Sequence, residues 1–291
     1  MKKMNIFCFG FGQVAKNFIK KLISENIEIN FSATSREKYQ KKMFEGISYD
    51  SFQLNDNFFD NEIIKKIKNV DYFLVSIAPV KGTDIVIKNF GKILGNCKPK
   101  WITYLSATSV YGDHQGEWVN EESKTKPTSL SGVERLKAEK LWMELASKNN
   151  LPIQIFRLSG IYSNKRNILI RLKLGEQKIV NIKNHFFSRI HLDDIANVLH
   201  KSLTNFKSKE VYNISDDKPA SLEEVILYGS KLLKIEKPQT INIQSIESGT
   251  MKNFYKDSKK VNNKKMKIFF NYKLKYPTYI EGLNFIKNNI I

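Results

Sequence analysis

Cysteine is nearly absent from the chain: two residues in 291, Cys8 and Cys97. Two thiols so far apart exclude a disulfide framework and any cysteine-based metal spacing, and both read as buried thiols. Histidine is scarce too, with four. No apolar run approaches the roughly 18 residues that cross a bilayer. The apolar N-terminus also breaks at a glycine turn where a signal peptide would continue. A cytoplasmic protein with no membrane partner is therefore expected, and no metal.

Acid is in short supply relative to base, with 29 Asp and Glu against 48 Lys and Arg and a formal net charge of +19. Such a field draws in phosphate-bearing ligands. Arginine, however, is the planar, bidentate reader of phosphates and bases, and it supplies only Arg36, Arg135, Arg157, Arg166, Arg171 and Arg189. The lysines run from end to end with no nucleic-acid motif and no regular aromatic interleaving. Specific nucleic-acid recognition is not expected, and any DNA or RNA binding should be weak and lost with salt.

What is present begins at Asn5, where an apolar strand runs into Gly10-Phe11-Gly12-Gln13-Val14-Ala15 and then a helix. Gly10 permits a tight turn, Gly12 lets the backbone approach a pyrophosphate, and Ala15 keeps helix and strand close. The helix N-terminus offers unpaired N–H groups to the anion. Gly10, Phe11, Gly12, Gln13 and Val14 are thus candidate dinucleotide-binding residues. A second strand ends in Thr34-Ser35-Arg36, without the acid that would hold a ribose 2′-OH. Two hydroxyls and an arginine suit a 2′-phosphate instead, which favours NADP(H) over NAD(H). Ser76 and Ala78, after the fourth strand, are expected to wall the same cleft, and Ser106 to reach it from the fifth.

Apolar runs alternate with amphipathic segments in a βαβ rhythm. Strands are predicted over 5–9, 27–33, 47–52, 70–77, 100–106, 153–158 and 210–214. Leu136, Leu141, Trp142 and Leu145 mark a helix over 130–148. Another helix starts near Asp193, and the capping box Ser221-Leu222-Glu223-Glu224 opens a third, to Leu233. From Pro238 onward short strands and turns are expected, with little helix. The fold class is α/β: a Rossmann-type doubly wound parallel sheet with a smaller C-terminal lobe.

Four further segments join the glycine turn in order: Leu105–Asp113 (LSATSVYGD), Phe156–Tyr162 (FRLSGIY), Arg189–Ala196 (RIHLDDIA) and Tyr212–Ile214 (YNI), with Leu274–Leu283 near the end. With these the chain resembles the extended short-chain dehydrogenase/reductases, the NAD-dependent epimerase/dehydratase family, in an atypical branch. The resemblance implies a Rossmann domain for NAD(P) over 1–163, with 190–215 returning to it, and a substrate lobe over 164–189 and 216–291. It also implies a small-molecule substrate and pairing of two copies through helices flanking the sheet.

The resemblance further implies a Ser or Thr four residues before Tyr111 and a Tyr-x-x-x-Lys on the next helix. Here Ala107, Ser131 and Arg135 occupy those slots. Ser131 and Arg135 share a helix face at i, i+4, but serine is far less acidic than a phenol and arginine stays charged. Thr108 could supply the hydroxyl instead, and Tyr111 the acid. Arg157 reads equally as a substrate-anion partner or a structural ion pair. Arg189 and His191 are expected to face the substrate, while Asp193 and Asp194 suit a helix start better than a metal. Asp113, His114, Glu117, Glu121 and Glu122 form an acidic, solvated loop in which Trp118 is expected to pack as a lid. The sequence thus points to an NAD(P)-dependent oxidoreductase or epimerase acting on a small sugar-derived or anionic carbonyl compound. The alternative is a non-catalytic NADP(H)-binding regulator or redox sensor.

Overall fold

The computed structural model describes residues 3–180, 182, 184–245, 255 and 257–290. In chain order the elements are β1 (Met4–Phe9), α1 (Gln13–Ser24), β2 (Ile29–Ser35), β3 (Gln40–Phe44), β4 (Ile47–Gln53), α2 (Glu62–Ile67), β5 (Tyr72–Val75), α3 (Ile85–Gly95), β6 (Trp101–Ala107), β7 (Trp118–Val119), α4 (Leu130–Asn149) and β8 (Ile153–Leu158). Then follow β9 (Gly160–Tyr162), α5 (Ile168–Lys173), β10 (Ile179–Val180), β11 (Arg189–His191), α6 (Leu192–Lys201), β12 (Val211–Ile214), α7 (Leu222–Leu233), β13 (Thr240–Ile241), β14 (Lys260–Val261), α8 (Lys264–Phe269) and α9 (Tyr279–Asn289). They divide into two compact units. One comprises Met1–Ala107, Glu134–Arg157 and Ile195–Tyr212; the other comprises Thr108–Val133, Leu158–Asp194 and Asn213–Ile291.

An eight-stranded sheet in the order β12-β8-β6-β5-β1-β2-β4-β3 organises the first unit. β1 lies between β2 and β5, parallel to both. The parallel strands are buried on both faces: β1 (Ile6 to Phe9) and β5 with apolar residues, β8 with Gln154 and Arg157 among them. Phe7, Phe9, Phe52, Phe73 and Phe90 fill the layer between sheet and helices. The sequence reading found every strand of this sheet except β3. That strand pairs antiparallel to β4 through a turn at Glu45 (φ 47°) and Gly46 (φ 78°), the positive-φ pair a two-residue hairpin requires. Its sequence, QKKMF, is a lysine-bearing exposed edge with no buried residue, so hydrophobic alternation could not reveal it. The hairpin replaces a crossover helix between β2 and β4. Phe11 packs there against Phe31, Phe44 and Tyr49, with ring centroids 5.1–5.4 Å apart.

Several buried polar side chains inside this unit are paired. Asp84 caps α3, accepting from the N–H groups of Val86 and Ile87 at 2.9 and 3.0 Å, and also takes the Trp142 indole N–H at 3.0 Å. Arg157 lies against Glu139 on α4, Nη2 to Oε2 2.7 Å and Nε to Oε1 3.0 Å, both side chains buried. The geometry supports the ion-pair reading of Arg157.

In the second unit β9 and β11 run parallel, as do β7 and β14, and α5, α7 and α9 enclose Tyr162, Leu169, Val225, Tyr279, Leu283 and Ile286. The helix-poor reading of the tail is corrected by α8 and α9; its 246–254 and 256 portion lies outside the described residues. α9 opens with a complete capping box, the Thr278 hydroxyl accepting from Ile280 N–H and Glu281 accepting from Thr278 N–H at 2.9 Å. Tyr279, Gly282, Leu283 and Ile286 then bury one face. The signal was legible as Thr-x-x-Glu before an i, i+3, i+4, i+7 pattern. At α7 only half the expected box forms: Ser221 accepts Glu224 N–H at 3.0 Å, while the Glu224 carboxylate takes the Tyr279 hydroxyl and Lys218.

Removing one partner of the buried Arg157–Glu139 pair strands the other charge. Glu139→Ala is expected to cost roughly 3–5 kcal/mol, and the double change to methionine at both positions much less. Urea denaturation of the three proteins measures this; equal losses would show that the pair carries no mutual stabilisation.

Candidate functional site

The glycine turn is built from three strands. At the end of β1, Gly10 adopts φ +87°, a conformation glycine takes freely. Its N–H donates to Thr34 Oγ1 on β2 at 2.8 Å. From beyond β5, the Ser76 hydroxyl donates to the carbonyls of Phe9 and Gly10 at 3.1 and 3.0 Å. A Cβ on Gly10 would meet Ser76 Oγ at 2.8 Å. Thr34 and Ser76, expected to contact a cofactor, instead hold the turn that would do so. Thr34 is buried, with its hydroxyl spent on Gly10.

Gly12 differs in kind. It is the N-cap of α1 in extended conformation, makes no side-chain cap, and no acid occupies the first turn. A Cβ built there meets nothing within 4 Å. Helix N–H groups without a cap facing open space at a Cβ-less residue are what a phosphate requires, so the residues present fit a dinucleotide. Gln13 is exposed, while Val14 is buried, and the Phe11 ring belongs to the aromatic cluster. At the end of β2, Ser35 is half-buried, accepting from Ser51 Oγ at 3.3 Å, and Arg36 is exposed. Ala78 is exposed as well.

At the end of β6, Ser106 is buried with no hydrogen-bond partner for its hydroxyl, and Ala107 and Thr108 follow, half-buried. Arg135 donates from Nη1 to the Leu105 carbonyl at 3.1 Å, which fixes its guanidinium beside the strand end. Ser131 is exposed, 3.4 Å from the Ser129 hydroxyl. The 3-10 turn Thr108–Tyr111 lies against the start of α4: a Cβ on Gly132 would meet the Ser109 carbonyl at 2.7 Å. Tyr111 itself is fully buried and donates to Asn213 Oδ1 at 2.8 Å, while Asn213 N–H donates to Glu121 at 2.8 Å. A phenol so enclosed is a strut rather than an acid facing a ligand. It also draws Glu121 out of the acidic loop that sequence placed in solvent. Trp118, expected as a lid, is exposed on β7.

Arg189 donates from Nη1 to the carbonyls of Phe187 and Ala220 at 3.1 and 3.0 Å. Its positive charge lies near the Asp216 carboxyl, which burial pushes well above the usual range and Arg189 pulls partly back. Asp216 was not foreseen; it follows the buried run Tyr212–Ser215, which reads as strand continuing into core. His191, expected to face a substrate, is 1% exposed. Its Nδ1 accepts the Asp193 N–H at 3.1 Å at the start of α6, which leaves the proton on Nε2. Tyr162 and Tyr276 enclose the ring at 5.0 and 4.2 Å. Asp194 is equally committed, accepting from the Tyr272 hydroxyl and the N–H groups of Lys275 and Tyr276 at 2.6, 2.7 and 3.1 Å. Among the described residues no group of three or more His, Cys, Asp or Glu could hold a metal ion, and no helix is long and apolar enough to cross a membrane. Cys8 is buried, its thiol pushed up to about 12 by burial.

Residues 88–215 match the model of the NAD dependent epimerase/dehydratase family. A functionally unknown conserved protein from Silicibacter pomeroyi DSS is similar over 99% of both chains, with 29% identity and a TM-score of 0.86. The fold is also that of dTDP-glucose 4,6-dehydratase from Bacillus anthracis in complex with NAD (18% identity, 98% of this chain and 96% of that one, TM-score 0.78). UDP-N-acetylglucosamine 4-epimerase from Bacillus cereus is similar too (16%, 99% of each chain, TM-score 0.76). No curated protein matches the chain by sequence.

The enclosure of His191 has a consequence in pH. Burial lowers its folded-state value from 6.5 to about 4, so the unfolded chain takes up a proton first. The stability due to neutral His191 is complete above pH 6.5 and is lost as pH falls through about 4, in total roughly 3 kcal/mol. The stability difference between wild type and His191→Gln should therefore shrink across that window, by denaturant titration at each pH. A constant difference would refute the neutral, buried imidazole.

Proposed function

We propose that this chain, whose residues 88–215 match the model of the NAD dependent epimerase/dehydratase family, is an oxidoreductase or epimerase that takes NADP(H) in preference to NAD(H). Its substrate is a small sugar-derived or anionic carbonyl compound. The observation that carries this reading is the uncapped α1 N-terminus at Gly12, with open space where a side chain would stand. The backbone N–H groups of the turn and of Gln13 and Val14 would hold the pyrophosphate. Arg36, with Ser35 beside it, would meet the adenosine 2′-phosphate, since β2 itself carries no carboxylate and the neighbouring Glu37 is paired with Lys42. When bound, the dinucleotide supplies reversible hydride transfer.

The chain's own groups set the rest. Ser106, buried with an unpaired hydroxyl, and Thr108 offer donors at the end of β6, where the resembling enzymes carry theirs one residue away, at the slot of Ala107. Arg135, pinned to the Leu105 carbonyl, gives a permanent positive charge that can hold a ribose or an anion but cannot relay a proton. Arg189 supplies the charge for an anionic substrate group. Fold similarity to a dehydratase and an epimerase of nucleotide-linked sugars supports a sugar-derived substrate.

A second reading, a non-catalytic NADP(H)-binding regulator, is favoured by one specific observation. Neither Ser131, exposed and beside Ser129, nor Tyr111, buried against Asn213, is set up as a proton donor.

NADPH should raise the melting temperature more than NADH, and Arg36→Asp should reverse that order; equal shifts in wild type would refute the preference. Gly12→Val should abolish both shifts while leaving the unliganded melting temperature nearly unchanged, because φ there is −79° and the site is open. A Gly12→Val protein still stabilised by NADPH would remove the basis of the assignment.

Loss of a general acid costs a rate factor of roughly 10² to 10⁴. Ser131→Ala should cost far less than that in a carbonyl-reduction assay, whereas Arg135→Ala should weaken NADPH binding. A rate loss in that range from Ser131→Ala, with binding intact, would show serine acting as the acid. Absence of any hydride exchange with a panel of sugar-derived carbonyl compounds, with NADPH bound, would transfer the assignment to the regulator.

A further inference from the structure

A second cleft, of about 750 Å³, lies among β1, β2, β4 and α2. That volume is in the range of small-molecule sites. β1, β2 and β4 are parallel, so Gly10 and Thr34–Arg36 all lie at their C-terminal ends. The cleft takes Asn5 and Asn30 from the opposite ends of β1 and β2, and no residue of the glycine turn or of 34–36 lines it. It is a separate place from the dinucleotide site.

Its composition is unusual for a sheet–helix interface. Asn30 and Ser32 are successive same-face residues of β2, a strand flanked on both sides, where the core would ordinarily continue. Ser32 is buried to 1% exposure and its hydroxyl has no hydrogen-bond partner, a state that costs free energy unless something satisfies it. Beside it, Asn5 and Asn30 pair only loosely, 3.4 Å apart, and Asn69 adds another amide.

Two of the three carboxylates in the lining are ion-paired. Asp50 binds Lys66 at 3.0 Å and the Tyr39 hydroxyl at 3.1 Å, Glu62 binds Lys65 at 2.7 Å, and Asp60 accepts the Gln53 N–H at 2.6 Å. Three carboxylates against two lysines, on a chain with a net charge of +19, disfavour phosphate or carboxylate ligands. The small apolar floor, Ile6, Phe52 and Val70, is interrupted by too many polar groups for a lipid or a planar hydrocarbon. Amides, carboxylates, ammonium groups and a hydroxyl mixed in one wall complement a ligand whose groups each donate and accept, presented around a ring with an apolar face.

We propose that this cleft binds a neutral saccharide of one or two rings, with Ser32 and the amides of Asn30 and Asn69 reading its hydroxyls. The proposal does not rest on the function proposed above: the site would bind sugar whether or not the chain binds NADPH.

Calorimetric titration of the full chain with glucose and with maltose, with and without saturating NADPH, tests it. At least one sugar should bind saturably and independently of NADPH. Ser32→Ala should weaken binding roughly tenfold, the worth of one buried hydrogen bond. The exposed change Asn69→Leu, which leaves the core untouched, should weaken it comparably, and neither variant should alter the melting-temperature shift given by NADPH. Three results would overturn the site: no saturable binding of either sugar, binding abolished by NADPH, or binding indifferent to both substitutions.

Discussion

Everything proposed for the dinucleotide site depends on one hydrogen-bonded turn. β1 lies at the centre of the sheet, and its last residue is followed by a glycine at φ +87° that would not hold by itself, since glycine loses more conformational freedom on ordering than any other residue. Thr34 and Ser76, from the strands on either side, take up its N–H and its carbonyl. Neighbouring strands thus spend two hydroxyls on backbone rather than on ligand. What they secure is the direction of α1, whose N-terminus is left uncapped at Gly12. An uncapped helix start is a cost in an isolated protein and a binding site in the presence of phosphate.

The same economy governs the charged residues. Arg157 with Glu139, Asp194 with the 272–276 segment, and Asp84 with Trp142 are each enclosed and hydrogen-bonded, because a buried charge without a partner would cost several kcal/mol. His191 meets the same demand differently: it stays neutral, accepts one backbone N–H and is enclosed by tyrosine rings. The side chains of these residues hold elements together. Groups that the fold itself leaves without a side-chain cap or a hydrogen-bond partner include the N–H groups at Gly12 and the hydroxyls of Ser106 and Ser32.

Much of the architecture was legible along the chain. The parallel strands announced themselves as apolar runs, since a strand buried on both faces has little choice of residue, and the strand–glycine–helix turn was plain because few other sequences satisfy it. β3 was not legible, being a polar edge whose pairing depends on β4 and the turn between them. α9 could have been found from Thr278 and Glu281, a local signal that needs only four residues to be read.

Roles were harder than elements, and for a physical reason. A sequence gives the chemistry a side chain can perform, and on that basis Thr34, Tyr111, Arg157 and His191 were all reasonable ligands of something. Which atom each one meets is decided by residues far away in the chain: Gly10 for Thr34, Asn213 for Tyr111, Glu139 for Arg157, and for His191 the rings of Tyr162 and Tyr276. Hydrogen bonds and burial act over a few ångströms in space, not along the chain. By itself the sequence determined the α/β order, the glycine turn and the missing acid after β2. Only the tertiary structure decided which polar groups were already spent, and so which were left to bind.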